Sequence, residues 1–157
     1  MKKDIRVKHI MTMELVVGNV NNKFSQVLDF FCKFKIAHLP IVEENNKLLG
    51  IISVNDALNY MHEKLGVGSS LNRESLDAEF KMDELMTPEP YFIAADATVE
   101  EALERLDKGK FQALPVVENE IIVGIITNKD LVKAFSYEVN PVETRSTYSI
   151  ETSGFGI

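Results

Sequence analysis

One seven-residue pattern occurs twice in the sequence, and this duplication limits the folds that are open to the chain. The pattern is a glycine, two isoleucines, a hydroxyl residue, two variable residues and an aspartate; it forms Gly50-Ile51-Ile52-Ser53-Val54-Asn55-Asp56 and Gly124-Ile125-Ile126-Thr127-Asn128-Lys129-Asp130. Two shorter features recur in the same order, each 75 residues apart: Met11-Thr12 with Met86-Thr87, and Leu39-Pro40 with Leu114-Pro115. The seven-residue patterns lie 124 − 50 = 74 residues apart, one fewer because the turn before Gly124 is one residue shorter than the turn before Gly50. This nearly constant spacing indicates an internal duplication, and two copies are too few to build a solenoid.

The repeated pattern predicts a strand that leads directly into a helix. The apolar run from Ile121 to Ile126 is typical of a buried strand. Thr127 follows where a helix N-cap is expected, because a hydroxyl can accept a hydrogen bond from an unpaired N–H of the first turn. Two interpretations remain open. Thr127 and Asp130 could only cap the helix, or the helix N-terminus could bind an anion while Asp130 accepts hydrogen bonds from sugar hydroxyls.

The spacing of apolar residues predicts the same five elements in each copy. In the first copy these are a strand over 14–17, a helix over 24–35, a hairpin of strands 39–43 and 48–52, and a helix over 55–65. In the second copy they are a strand over 91–93, a helix over 98–108, a hairpin of strands 114–118 and 121–126, and a helix over 128–137. We therefore predict an α+β fold of two pseudo-twofold-related repeats, each β-α-β-β-α with a three-stranded sheet covered by helices on one face.

The predicted division of the chain follows from this pattern. The first repeat covers 5–65, a polar connector with one helical turn covers 66–81, the second repeat covers 82–137, and an irregular tail covers 138–157. Each repeat is small and would bury little apolar surface alone, so we expect the two to pack together.

Composition and motifs exclude several classes of function. The 17 basic and 24 acidic residues give a net charge of −7, which disfavours nucleic-acid binding. The single cysteine, Cys32, is interpreted as a buried apolar residue. No apolar stretch has the length of a membrane span or a signal peptide, so we predict a cytoplasmic protein without membrane contact. Catalytic motifs and metal-ligand spacings are also missing, which predicts no enzyme activity, no catalytic residue and no metal.

The duplicated features resemble those of the cystathionine-β-synthase (CBS) domain, which occurs in tandem as a Bateman module. The resemblance rests on the Met-Thr lead, the Leu-Pro entry to the hairpin and the Gly-Ile-Ile-(Ser/Thr)-x-x-Asp end, all in register in both copies over about residues 7–137. It implies two clefts between the paired repeats that bind AMP, ADP, ATP or S-adenosylmethionine as a regulatory ligand, with no cofactor required.

The resemblance also implies which residues contact the ligand. The aspartate would bind the ribose hydroxyls, the preceding hydroxyl residue and a basic neighbour such as Lys129 would meet phosphate, and the lead and the hairpin proline would pack about the adenine. One site would then use Thr12, His38, Pro40, Ser53 and Asp56, and the other Thr87, Ala113, Pro115, Thr127 and Asp130. His38 could instead be a packed, hydrogen-bonded histidine, and Lys129 a solvated helix residue.

The expected function is a regulatory ligand-sensing module that signals to a partner protein or within an oligomer, with a homodimer implied by the resemblance. The alternative is a ligand-free interaction or scaffold protein that uses the dimer surface of the CBS pair. Replacing Asp130 or Asp56 by alanine is expected to reduce nucleoside binding at that site and to leave the fold intact.

Overall fold

The computed structural model describes residues 5–66, 68, 71–109 and 111–136, so the predicted tail over 138–157 lies outside the described residues. The chain forms two compact units. Unit 1 comprises Met1–Leu15 together with Tyr91–Ile157, and unit 2 comprises Val16–Pro90. These boundaries differ from those of the sequence repeats, because each unit receives its Met-Thr lead from the neighbouring part of the chain.

The described residues contain seven α-helices and five strands. In chain order they are α1 (Val7–Ile10), α2 (Phe24–Phe34), β1 (His38–Val42), β2 (Leu48–Ser53), α3 (Val54–Gly66), α4 (Arg73–Ala78), α5 (Met82–Leu85), β3 (Thr87–Pro88), α6 (Val99–Gly109), β4 (Ala113–Glu118), β5 (Ile121–Thr127) and α7 (Asn128–Ser136). The predicted α+β class is confirmed, and both predicted hairpins are present. Among these residues no helix is both long and apolar enough to cross a membrane.

Unit 2 is built on a three-stranded antiparallel sheet in the order β1-β2-β3. The β1–β2 hairpin turns through Asn45 and Asn46, whose φ angles of 65° and 62° suit asparagine better than most residues. The buried face of the sheet packs on α2, and Phe24, Leu39 and Ile52 are wholly buried there. The end of the central strand β2, where α3 begins, therefore rests on a well-packed core.

Unit 1 has a corresponding but two-stranded sheet, whose hairpin is longer. Strands β4 and β5 pair antiparallel from Ala113–Thr127 to Glu118–Ile121. The lead pairs beside them, through an antiparallel bridge between Thr12 and Ile125. The core of this unit is apolar throughout and includes Val7, Ile93, Ala102, Leu114, Val116 and Ile126.

Three predictions of local structure need correction. The short strands predicted over 14–17 and 91–93 are reduced to single parallel bridges, Gly18 with Ile41 and Ile93 with Val116. Cys32 is exposed rather than buried. The buried stripe of α2 contains Phe24, Val27 and Phe31, and the residue after Phe31 is rotated away from that stripe by the helical repeat.

Candidate functional site

The glycine of each repeated pattern allows a Met-Thr lead to lie directly across the strand. A Cβ atom added to Gly124 would lie 2.6 Å from Met11 Sδ and 3.0 Å from the Thr12 carbonyl oxygen. A Cβ atom added to Gly50 would lie 2.6 Å from Met86 Sδ and 2.9 Å from the Thr87 carbonyl oxygen. Any larger residue would push the lead off the strand, so the glycine and the methionine form one packing unit.

This packing changes the expected grouping of the candidate residues. Thr12 pairs with Ile125 of β5, and Thr87 pairs with Ile51 of β2. Unit 1 therefore assembles Thr12, Ala113, Pro115, Thr127, Lys129 and Asp130, whereas unit 2 assembles His38, Pro40, Ser53, Asp56 and Thr87. The two threonines of the leads are exchanged relative to the sequence-based sets, because each lead pairs with the hairpin of the other repeat.

The junction of β5 and α7 in unit 1 is a reciprocal cap centred on Asp130. Its Oδ2 accepts hydrogen bonds from the Thr127 backbone N–H at 2.8 Å and from the Thr127 hydroxyl at 2.9 Å. In return the Asp130 N–H donates to Thr127 Oγ1 at 3.3 Å. The Thr12 hydroxyl donates to Asp130 Oδ1 at 3.3 Å, and this contact joins the lead to the cap. The residues thus have the geometry of a capping box with aspartate in the third helical position.

Asp130 differs from most carboxylates because it is only 3% exposed. Burial raises the pKa of Asp130 above its ordinary value, and the hydrogen bonds from Thr127 and Thr12 oppose that rise. The direction of the shift means that the local donors only partly replace the water that the carboxylate has lost. A ligand that donates hydrogen bonds at this position would stabilise the charged form.

The corresponding junction in unit 2 has the same cap in a more open setting. Asp56 Oδ2 accepts a hydrogen bond from the Ser53 N–H at 2.7 Å, and the Asp56 N–H donates to Ser53 Oγ at 3.2 Å. Asp56 is half-buried and Thr87 is exposed, whereas Asp130 is buried and Thr12 is half-buried. The two junctions share their backbone geometry but differ in how deeply the carboxylate lies.

His38 gives the junction of unit 2 a titratable side chain at the position that Ala113 occupies in unit 1. It pairs across the hairpin with Ser53, and Ala113 pairs in the same way with Thr127. Cross-strand partners place their side chains on the same face of the sheet, so the imidazole lies beside the Ser53 hydroxyl. Burial lowers the pKa of His38, and the charge of Asp56 partly opposes that effect.

The remaining candidate residues are placed by the hairpins and by α7. Pro40 and Pro115 are fully buried, opposite Ile51 and Ile125. Ala113 is buried and Lys129 is exposed in the first turn of α7. Within the described ranges no group of three histidine, cysteine or acidic side chains is arranged to hold a metal ion.

Sequence reasoning missed two structural contacts at this site, the methionine sulfur against the glycine and the hydroxyl of Thr12 on Asp130. Both join segments more than a hundred residues apart in unit 1, and the second spans 118 residues. The Met-Thr recurrence pointed to the lead, but its spacing carries no information about which hairpin it joins.

Solved structures resemble this chain over most of its length. The CBS-pair protein CBSX2 from Arabidopsis thaliana has a TM-score of 0.72 and 26% identity, and covers 85% of this chain and 95% of its own. A structure of CBSX2 in complex with AMP has a TM-score of 0.71 and 25% identity, with 85% and 97% covered. The CBS domain pair of protein MJ0100, in complex with 5-methylthioadenosine and S-adenosyl-L-methionine, has a TM-score of 0.72 at 25% identity, also with 85% and 97% covered.

Curated relatives share only this part of their length. Inosine-5'-monophosphate dehydrogenase from Aquifex aeolicus is 32% identical over 129 residues, which are 81% of this chain and 24% of the enzyme. The chain spans about a quarter of the length of the curated relatives it matches. The model of the CBS domain matches twice, at residues 7–63 and 82–137. With two matched repeats and the corresponding strand–helix junctions, the chain belongs to the CBS domain family.

Proposed function

We propose that this chain is a regulatory module that binds an adenosine-containing ligand, AMP, ADP, ATP or S-adenosylmethionine, at the junctions centred on Asp130 and Asp56. Ligand binding would be signalled to a partner protein or to a second copy of the chain. The proposal gives the chain no catalytic step, and its cytoplasmic location stays a prediction.

The observation that carries this proposal is the buried carboxylate of Asp130, held at a helix N-terminus by two threonine hydroxyls and a backbone N–H. A carboxylate in such a place suits a vicinal diol, whose two hydroxyls can both donate to it. The helix N-terminus beside it suits a phosphate, because its dipole and first N–H groups favour negative charge. Ribose and phosphate are adjacent in a nucleotide, as the carboxylate and helix end are here.

The weakest of these contacts indicates how a ribose would enter. The Thr12 hydroxyl donates to Asp130 at 3.3 Å, the longest of the side-chain bonds that this carboxylate accepts from Thr12 and Thr127. A ribose hydroxyl would replace the Thr12 donor and leave the cap of α7 intact. The lead and the hairpin proline would then border the base, and Lys129 would approach the phosphate from the first turn of α7.

The comparisons support the same ligand class. The complexes of CBSX2 and of protein MJ0100 contain AMP, or methylthioadenosine and S-adenosylmethionine, and all three molecules carry an adenosine group. The ligands differ at the 5' position, where one has a phosphate and the others a sulfur substituent. The adenosine group is therefore the part of the ligand that the relatives support best.

A thermal-shift screen with AMP, ADP, ATP and S-adenosylmethionine, followed by calorimetry, tests this proposal. A ligand at 100 times its dissociation constant should add about 2.7 kcal/mol to the free energy of unfolding. The matched variants are Thr12→Val and Thr87→Val, which remove a lead hydroxyl and leave both caps in place. Each variant should change the ligand affinity of the junction in its own unit and leave the affinity of the other junction unchanged. No shift with any of the four at millimolar concentration would contradict the proposal.

A second candidate function is a protein–protein interaction module, favoured by exposed apolar residues at matching positions of α3 and α7. Leu58 is 52% exposed on α3 and Val132 is 64% exposed on α7, and each is the fifth residue of its helix. Single exposed apolar side chains are common, but a contiguous patch of them is typical of an interface. Sedimentation velocity of the wild type and of Leu58→Glu with Val132→Glu tests for a homodimer, which the double variant should dissociate.

A further inference from the structure

The N-cap residue of helix α2 gives no side-chain acceptor to the first turn, although Gln26 Oε1 accepts a hydrogen bond from the N-cap N–H at 2.8 Å. That N-cap residue is Lys23, and a lysine side chain has no acceptor for the unpaired N–H groups of the first turn. The equivalent residue in unit 1 is Thr98, whose Oγ1 accepts a hydrogen bond from the Glu101 N–H at 3.1 Å. The two repeats therefore differ at a position where a cap is normally needed.

Asp77 of the connector supplies the acceptor that Lys23 lacks. Its Oδ1 accepts a hydrogen bond from the Ser25 N–H at 2.8 Å, and its Oδ2 accepts one from the Ser25 hydroxyl at 2.6 Å. Ser25 is only 7% exposed, so these bonds form away from solvent. Helix α2 is thus capped by a residue that follows Ser25 by 52 positions in the chain.

Helix α4, Arg73–Ala78, which we call the strap, is held on unit 2 by further contacts. The guanidinium of Arg73 donates to both carboxylate oxygens of Asp29 on α2, at 3.1 Å and 2.9 Å. The Tyr60 hydroxyl of α3 donates to the Leu76 carbonyl at 3.0 Å, and the Leu76 side chain is 6% exposed. The strap therefore contacts both α2 and α3, although the sequence predicted only a polar connector with one helical turn there.

The chain leads from the strap into the lead of unit 2 within a few residues. The Phe80 ring lies 5.4 Å from that of Phe24 and 5.6 Å from that of Tyr60, between ring centroids. Met82 is buried in the same core at 3% exposure. Met86 then packs on Gly50, as described above, and the lead continues to the Glu89 N–H, which donates to the Leu49 carbonyl at 3.0 Å.

We propose that the strap is a conformational device that caps α2 from outside and holds the Met86-Thr87 lead against β2. When the strap is docked, Thr87 stays beside β2, the strand that ends at Ser53 and leads into the helix that carries Asp56. When it undocks, α2 loses its cap, and the lead loses the anchor that precedes it. The connector and the Asp56 junction are thereby linked. Only the effect of this link on ligand binding rests on the proposed function.

Unit 1 offers a natural control for this inference. Its helix α6 is capped by Thr98, which lies next to it in sequence. Its lead precedes that helix in the chain and follows directly on α1, whose Val7 and Lys8 N–H groups donate to the Ala97 and Ala95 carbonyls, both at 2.9 Å. Loss of the α6 cap should therefore remain confined to unit 1.

Hydrogen exchange of individual amides, measured by NMR on the full chain without ligand, tests the proposal. In Asp77→Ala we expect the Met86 and Glu89 amides to exchange about five- to tenfold faster, as does the first turn of α2, since a lost cap costs about 1 kcal/mol. Arg73→Gln, at an exposed position, should raise the same rates by a smaller factor. Thr98→Ala should raise exchange in α6 and leave Met86 and Glu89 unchanged.

The double variant Asp77→Ala with Lys23→Thr separates the strap from a simple cap. The Lys23→Thr substitution would give α2 a hydroxyl acceptor of its own, so the first turn of α2 should regain its protection while Met86 and Glu89 stay fast. Restored protection of all these amides in the double variant, or unchanged exchange of Met86 and Glu89 in Asp77→Ala, would overturn the proposal.

Titration with AMP adds a separate readout. Asp77→Ala should weaken AMP binding. Failure of the wild type to bind AMP would remove AMP from the ligands of the proposed function and would leave the exchange result standing.

Discussion

Asp130 caps a helix with a side chain that we also propose as a ligand-binding group. Three hydrogen bonds from Thr127 and Thr12 end on a carboxylate that is almost fully buried. Removal of this carboxylate is therefore expected to lower the free energy of unfolding by a specific amount. A buried donor that loses its acceptor is more expensive than an exposed one, because it cannot turn to water.

We expect Asp130→Ala to lower the free energy of unfolding by about 2–3 kcal/mol and Asp56→Ala by about 1 kcal/mol. The difference follows from the deeper burial of Asp130 and its additional bond from Thr12. Urea denaturation of the two variants and the wild type, with m-values compared, measures both losses. Equal losses in the two variants would contradict this account of the two junctions.

His38 predicts a dependence of stability on pH. Burial holds its folded pKa below the ordinary value of 6.5, so between the two pKa values the unfolded chain binds more protons than the folded one. The contribution of His38 to the free energy of unfolding is fully present above pH 6.5 and is lost as the pH falls through the folded pKa. His38→Ala, which copies Ala113 of the other unit, should remove this part of the slope.

Urea denaturation at a series of pH values measures the effect of His38, and NMR titration of the His38 ring follows the group itself. The exposed His62 provides the control, since His62→Ala should leave the slope in place. A His38 ring that titrates above 6.5 would show that the charge of Asp56 outweighs burial.

At the scale of elements, the close packing of lead and strand predicts a strong response to one methyl group. Gly124→Ala would place its Cβ 2.6 Å from Met11 Sδ and 3.0 Å from a backbone oxygen, so the lead must shift. We expect a loss of about 1–3 kcal/mol, the usual cost of overpacking. Gly66→Ala at the end of α3 has nothing within 4 Å and should be nearly neutral. Thermal unfolding monitored by circular dichroism compares the two.

The elements that could be predicted from sequence are those with local causes. The two hairpins follow from apolar runs joined by short polar turns, and the caps of Ser53 and Thr127 follow from a hydroxyl and a carboxylate three residues apart. Contacts between distant segments could not be predicted. The spacing of Met11 gives no reason to pair it with Gly124, and nothing near Lys23 shows that its helix is capped by Asp77.

At the scale of the whole molecule, the repeats in the sequence and the units in the structure have different boundaries. Unit 2 is the continuous segment Val16–Pro90. The first sequence repeat ends before the strap, and also before the lead, which supplies the third strand of the sheet. We expect a fragment of residues 16–90 to unfold cooperatively, and a fragment of residues 1–66 to lack a cooperative transition. The fragment of residues 1–66 lacks Leu76 and Met82, which are buried in the core of unit 2. A domain of this size needs that buried apolar surface to fold.

Urea unfolding and the dispersion of amide signals in NMR spectra distinguish these two fragments. Cooperative folding of residues 1–66, or an unfolded fragment of residues 16–90, would show that the strap and the lead of unit 2 are dispensable for its stability.

The pairing of Thr12 with Asp130 has a consequence for the order of events during synthesis. Every residue of unit 2 has been made by the time position 90 is reached, so its contacts can form while the rest of the chain is still being translated. The N-terminal lead must wait for a partner that is 118 residues further on. The lead of unit 1 is therefore made before unit 2 but placed after it, and unit 2 can be complete before unit 1 closes.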